Sequence, residues 1–383
     1  MSRVAVNVKI LHWAMDRANL APEALERKFP KIKRWVVGDL QPTLKQLESL
    51  AKATLTPLGF FFLDEPPEEH LPIPHFRTLG DETPRKPSPD LLETVQAMQR
   101  RQAWMREFLM DQGQEPLPFV RSTRRNSSPG STADRIRRAL GFVDGWASEQ
   151  PTWTNALRAL RQAMEAVGIL VVVNGIVGNN TRRKLDPGEF RGFVLVDKYA
   201  PLVFVNGADG KAAQMFTLAH ELAHVFHGSS AAFDLREIQP ADDPTERVCN
   251  RVAAEFLVPE NALRQFWPSV QNNPDAFNMI ARKFKISSLV AARRVLDLGL
   301  IDKTAFLEFY REYQSDERRA SAHRATRGDF YANQNFRVGQ PFACAVVRAA
   351  KEGRLLYSEA YQLTGLYGKT FDRYAASLET GKQ

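Results

Sequence analysis

The chain reads as an α+β protein, mostly helical, with one small sheet. Three observations predict that class. Apolar residues at three- and four-residue spacing, punctuated by capping residues, Pro and Gly, recur along most of the 383 positions. Runs of β-branched and aromatic residues that suit strands fall only between residues 169 and 206. The stretch that follows them, Phe-Thr-Leu-Ala-His-Glu-Leu-Ala-His-Val-Phe-His-Gly at residues 216–228, returns to helical spacing and carries a dense set of polar groups. A chain of this length holds two or three domains, and a hydrophobic share of 44%, with 24 Phe, supplies cores for them. The expected division is a helical unit over 1–66, a linker and long helix over 67–131, the sheet-bearing domain over 132–300 and a helical region over 301–383.

Composition narrows the function classes. No run of 18 apolar residues is present, so no membrane span is expected. The opening Met-Ser-Arg-Val-Ala-Val-Asn-Val-Lys lacks the apolar core of a signal peptide. Cys249 and Cys344 are the only cysteines, so no disulfide framework is expected, and a cytoplasmic protein fits. A net charge of +8 favours an acidic partner, nucleic acid among them, although the excess is spread out.

In chain order, Val6–Arg17 is a first periodic helix with Ile10, Leu11 and Met15 inward. Ala21–Phe29 is a second, closed by Pro30; Lys31–Val37 is a third, stopped by Gly38. Thr43 caps a fourth with Leu44, Leu47, Leu50 and Ala51 on one face. Pro57 opens a fifth that carries Phe60, Phe61, Phe62 and Leu63. This five-helix order suits a repressor-type helix-turn-helix, in which Lys31, Lys33 and Arg34 on the third helix would face DNA. A solvated surface explains the same basic residues without DNA. Residues 64–90 are rich in Pro and acid and read as an extended linker, in which His75-Phe76-Arg77-Thr78 is a possible pin. Leu91–Met110 is a long amphipathic helix, and polar residues 111–131 follow it.

The sheet-bearing domain opens with helices near 132–140 and 152–167. Strands follow at Ile169–Val173, Phe190–Val196 and Leu202–Val205. Leu202–Asn206 is expected at the sheet edge, because it leads straight into the helix with His220, Glu221 and His224. Residues 261–383 read as helical, with Leu307–Ala322 charged and exposed, Arg318, Arg319, Arg324 and Arg327 adding charge, and a last helical unit over Asn333–Gly353 and Ser358–Leu366.

His220, Glu221 and His224 spell His-Glu-x-x-His. Residues four apart lie one above the other on a helix, so both imidazoles reach one metal ion, and Glu221 stands beside them as a base for a metal-bound water. A helix with two satisfied histidines is the bland alternative. A catalytic zinc takes three protein ligands and leaves one position open. His227 is excluded as the third, since seven residues span about 10.5 Å of helix; it suits the helix C-terminus instead. Glu246, on a helix over Pro244–Val258, is the favoured candidate, with Asn250 and Ala253 on its face. Asp242, Asp243 and Cys249 compete with it. Asp243-Pro244-Thr245-Glu246 also reads as a capping box, which needs no metal.

His220-Glu221-Leu222-Ala223-His224, with Glu246-Arg247-Val248-Cys249-Asn250-Arg251-Val252-Ala253-Ala254-Glu255-Phe256-Leu257-Val258-Pro259, resembles the ImmA/IrrE family of metallopeptidases. The strands before the first motif resemble that family's strands. The leading segment, with Trp35, Gly38, Pro42-Thr43, Gln46-Leu47 and Phe61-Phe62-Leu63, resembles the helix-turn-helix often fused to it. The resemblance implies a zincin-like domain over 132–300, with Zn2+ held by His220, His224 and Glu246 and with Glu221 as catalytic acid/base. It implies cleavage of a partner protein such as a transcriptional repressor, or a role in stress-response or toxin–antitoxin systems beside a toxin protein. Two rival readings remain at this stage: a DNA-binding regulator or antitoxin whose metal site is structural or idle, and a ligand-sensing scaffold.

Overall fold

A computed structural model of the chain describes residues 3–18, 20, 22–69, 71, 87–124, 126–229, 231–233, 244–315 and 333–379. These fall into two units, one ending at Val95 and one starting at Gln96.

The first unit is helical. It contains α1 (Val8–Arg17), α2 (Pro22–Lys28), α3 (Ile32–Val36) and α4 (Leu44–Ala53). Asn7 Oδ1 caps α1 by accepting from the Lys9 N–H at 2.9 Å. Thr43 and Gln46 form a reciprocal capping box at α4. Ile10, Leu11, Ala14, Leu25, Ile32, Trp35, Leu47, Leu50 and Phe61 make its core. The fifth helix expected after Pro57 is instead a 3-10 turn, Leu58–Phe62. Gly59 and three consecutive Phe are weak helix formers, and burying Phe61 needs only one tight turn. Arg17 grips Glu69 through two hydrogen bonds of 2.6 and 2.8 Å, so the residues after that turn lie back against α1. His75–Thr78 and most of the expected linker lie outside the described residues. The long helix, α5 (Pro89–Asp111), starts on the Ser88 hydroxyl, which accepts from the Leu91 N–H.

The second unit holds α6 (Pro129–Leu140), α7 (Trp153–Ala166), β1 (Leu170–Asn174), β2 (Ile176–Val177), β3 (Asn180–Lys184), β4 (Gly192–Leu195), β5 (Leu202–Asn206), α8 (Lys211–His227), β6 (Ala231–Phe233) and α9 (Pro244–Leu257). Beyond these come α10 (Glu260–Phe266), α11 (Ala276–Phe284), α12 (Ser288–Asp297), α13 (Lys303–Ser315), and helices at Gln340–Lys351, Tyr357–Thr364 and Lys369–Glu379. The architecture is therefore α+β and mostly helical. Among the described residues no helix is long and apolar enough to cross a membrane.

The main sheet runs β1-β5-β4-β6. β1 and β5 are parallel, with Val172 opposite Phe204. β4 is antiparallel to β5, with Phe193 opposite Phe204, and β6 is antiparallel to β4. One face (Val171, Val173, Val194, Val203, Val205) joins the core formed with α7 and α8. On the other, Phe193 and Phe204 stack at 4.9 Å. Each fully buried side chain of this kind contributes about 1.5–3 kcal/mol.

Leu202–Asn206 is not the edge strand. It lies between β1 and β4, and every residue of it is buried. Leu-Val-Phe-Val is apolar on both faces, which marks a strand covered on both sides; its place next to α8 in the chain does not decide its place in the sheet. The margins are β1 and β6. Along β1 lies one turn of π-helix, Asn335–Gly339. A Cβ on Gly339, whose φ is +86°, would come within 3.3 Å of Val171 O, so that approach requires glycine. Buried arginines hold the turn there. Arg161 donates to Asn335 O at 3.0 Å and lies over the Phe336 ring, and Arg101 donates to Arg337 O and Leu363 O at 2.9 Å.

Candidate metal centre

α8 is buried on all sides from Gln214 to Phe226, between the sheet, α6, α7 and α9. Its apolar residues surround the axis rather than forming one stripe, as a central helix requires. Gly210 leads into it, and the Gln214 amide ties the preceding loop by donating to Asp209 O at 2.6 Å and Gly207 O at 3.3 Å. Gly192 on β4 brings the sheet close: a Cβ there would lie 3.4 Å from Glu221 Oε1.

The other end of α8 is closed by two short segments. Gly228, with φ +80°, bends the chain so that both its own N–H and that of Ser229 donate to His224 O, at 2.7 and 3.2 Å. From the opposite side, Arg121 N donates to Val225 O and Thr123 N to Phe226 O, each at 3.1 Å. Carbonyls that a helix end leaves orphaned are thus satisfied. Thr123 Oγ1 meets His227 Nδ1 at 3.0 Å, so His227 belongs to this clamp and not to the centre.

Three side chains meet within α8 and the first turn of α9. His220 Nε2 lies 3.0 Å from Glu246 Oε2, His224 Nε2 lies 3.2 Å from Glu246 Oε1, and the two Nε2 atoms are 3.0 Å apart. Among the described residues this is the group of His, Cys, Asp and Glu side chains that could hold a metal ion. Ligand atoms about 2.0–2.2 Å from a tetrahedral ion stand roughly 3.3–3.5 Å apart. The three here reach that spacing by moving a few tenths of an ångström, so the residues fit. Cys249 is buried in the core and outside the group; Asp242 and Asp243 lie outside the described residues.

α9 is fixed from its far end. Arg294 of α12 pairs with Glu255 and donates to Val258 O at 3.1 Å, and Arg137 of α6 donates to Glu255 O. Glu246 is therefore delivered by a helix bound at two places. Asn250, one turn on, lies beside the His220 ring. Ser229 Oγ stands 2.9 Å from His224 Nδ1. Sequence reasoning named Asn250 and missed Ser229.

The electrostatics suit a cation. Burial pushes the His220 imidazole toward its neutral form, the form that binds metal. Burial alone would raise the Glu246 carboxyl, but the close approach of the His220 and His224 rings outweighs it and holds Glu246 well below the usual carboxylate range. Glu221 goes the other way: burial first, then the Glu246 charge, push it well above its ordinary value. Its two oxygens are buried without a hydrogen-bond partner. Leaving such a group unsatisfied costs about 1–3 kcal/mol or more.

Lys31, Lys33 and Arg34 are exposed around α3, where Lys33 pairs with Glu26 at 3.0 Å. They lie in the first unit and take no part in the centre.

Residues 338–377 match a family model described as Domain of unknown function (DUF8813). A comparison with curated proteins finds no match. Residues 164–296, which contain the sheet, α8 and α9, are similar to the IrrE N-terminal-like domain, a peptidase family, and the similarity supports a peptidase of the ImmA/IrrE type.

Proposed function

We propose that the protein is a zinc-dependent endopeptidase of the ImmA/IrrE type that cuts a regulatory protein, such as a transcriptional repressor, in a stress-response, mobile-element or toxin–antitoxin setting. The observation that carries this reading is Glu221. It is a fully buried carboxylate, unpartnered at both oxygens, next in sequence to one convergent imidazole and three residues from the other. As a bystander it would only destabilise the fold; beside a reacting water and a peptide it has work for both oxygens.

His220, His224 and Glu246 would hold the zinc ion, with Asn250 and Ser229 steadying the two rings. An ion held there would supply the Lewis acidity that lowers the pKa of a water and polarises a scissile carbonyl. Glu221 accepts the water's proton on one Oε and later returns it to the leaving amide nitrogen.

Glu221→Gln tests the reading. The variant should keep zinc and lose cleavage by about 10²–10⁴-fold, the usual worth of a general base. Used as a trap, it should retain the partner protein that the parent cuts into fragments identifiable by mass spectrometry. A variant that cuts that partner like the parent overturns the proposal. A second reading, that residues 1–66 bind DNA and the protein is a regulator or antitoxin with a structural or idle metal site, is favoured by the joint exposure of Lys31, Lys33 and Arg34 around α3.

A further inference from the structure

We propose that Ser229 is a positioning residue for the metal centre, fixing His224 in the tautomer that turns Nε2 toward the ion. The inference rests on the metal reading above. Its basis is the turn that ends α8. A metal-bound imidazole presents one nitrogen lone pair to the ion and needs an acceptor for the N–H on the other nitrogen. His224 Nε2 faces Glu246 at 3.2 Å and His220 at 3.0 Å, so Nδ1 is the nitrogen left to be anchored. The atom that meets it, at 2.9 Å, is Ser229 Oγ. In that arrangement Nδ1–H donates to the hydroxyl oxygen, and the ring can neither flip nor move its proton to the coordinating side.

The hydroxyl is not needed for capping. The His224 carbonyl already receives the Gly228 and Ser229 N–H groups, both main-chain donors that any residue at 229 would supply. The place of Ser229 is also tightly set. Gly228 sits at φ +80°, and a Cβ on it would fall 2.1 Å from Arg121 Cγ, so the turn tolerates no side chain and cannot relax outward. Phe119 stacks on Phe226 at 5.3 Å, which holds the same strap of chain against the last turn of α8. Residues 119–123 lie outside the stretch that is similar to the IrrE N-terminal-like domain, so this support for His224 comes from the chain's own preceding segment.

The test uses the full chain and Zn2+ alone, with no substrate. Zinc affinity is measured by competition with a chromophoric chelator, and the melting temperature of the metal-free protein is measured beside it. Ser229→Ala should bind zinc about 10–100-fold more weakly, the usual loss when a hydrogen-bond partner of a ligating histidine is removed. Its metal-free melting temperature should fall only slightly, because one hydrogen bond is lost but no packed group. Ser229→Thr, which keeps the hydroxyl, should restore most of the affinity. The Co2+-loaded absorption bands should shift in the Ala variant and return in the Thr variant. A Ser229→Ala protein with parental affinity overturns this inference alone. So does a loss equal in the Ala and Thr variants and accompanied by a markedly lower metal-free melting temperature, which would mark a structural role. A parent that takes up no zinc overturns the metal reading and this inference with it.

Discussion

Gly192→Ala probes how the sheet sets the position of Glu221. The added Cβ would lie 2.5 Å from Thr217 Cγ2, 2.8 Å from Phe204 O and 3.4 Å from Glu221 Oε1. Carbon atoms in contact prefer about 3.5–4.0 Å, so β4 and α8 must separate by roughly 1 Å. Overpacking of this kind costs about 1–3 kcal/mol, which lowers the melting temperature by about 2–4 °C per kcal/mol in a domain of this size. Thr217 is one turn before Glu221, so the displacement reaches the Glu221 carboxylate, and if that group is the proposed base a misplacement of about 1 Å can cost 10²-fold in rate. Thermal melting, zinc affinity and cleavage of the trapped partner should therefore respond unequally, with cleavage falling furthest. Adding Thr217→Ser removes Cγ2 but keeps the hydroxyl that donates to Ala213 O at 3.0 Å. It should recover part of the loss, because the Phe204 carbonyl still obstructs. A Gly192→Ala protein that melts and cuts like the parent, or a Thr217→Ser change that gives no relief, refutes the idea that this approach sets the site.

Glu165 is buried, with Arg161 3.8 Å away and a Gln340 backbone hydrogen bond, and burial pushes its carboxyl up to about 7 from the ordinary 4.5. The folded state then holds its proton longer than the unfolded state, so the stability linked to this group is full below about 4.5 and lost as pH rises through about 7. At 1.36 kcal/mol per unit the loss approaches about 3 kcal/mol. In urea unfolding, Glu165→Gln should therefore gain on the parent between pH 5 and 8; a constant difference across that range counts against the assignment. For the first unit, on the DNA-binding reading, replacing Lys31, Lys33 and Arg34 with Ala should weaken a gel shift of duplex DNA. It should also reduce the salt slope by about 0.9 for each phosphate contact removed, with zinc binding unchanged. A parent that gives no shift at low salt removes the DNA reading.

The sequence made α8 legible because the His220–His224 spacing only makes chemical sense on a helix. Glu246 is less legible: Asp243-Pro244-Thr245-Glu246 fits a cap as well as a ligand, and the resemblance to a known family adds the weight that favours the ligand. Chain adjacency to α8 points to Leu202–Asn206 as the sheet edge, but pairing places it inside, and the all-apolar Leu-Val-Phe-Val carries the mark of an internal strand. β3, Asn-Thr-Arg-Arg-Lys, offered no alternation to read; four of its five residues are exposed. Ser229 had no local signal at all. The role proposed for it depends on a left-handed glycine turn and on a strap from residues 119–123, neither of which has a motif. The same holds for Arg161 and Arg101, whose partners lie far along the chain.

The π-turn at Asn335–Gly339 also bears on how the protein is made. β1 waits, with one row of backbone groups uncovered, until the ribosome has delivered the chain from Asn206 to Asn335. At about 5–20 residues per second that interval runs from several seconds to roughly half a minute. A bare strand margin exposed for so long is a template for mispairing with a neighbouring nascent chain. A chain stopped short of Asn335 is therefore expected to aggregate more readily than the full-length polypeptide.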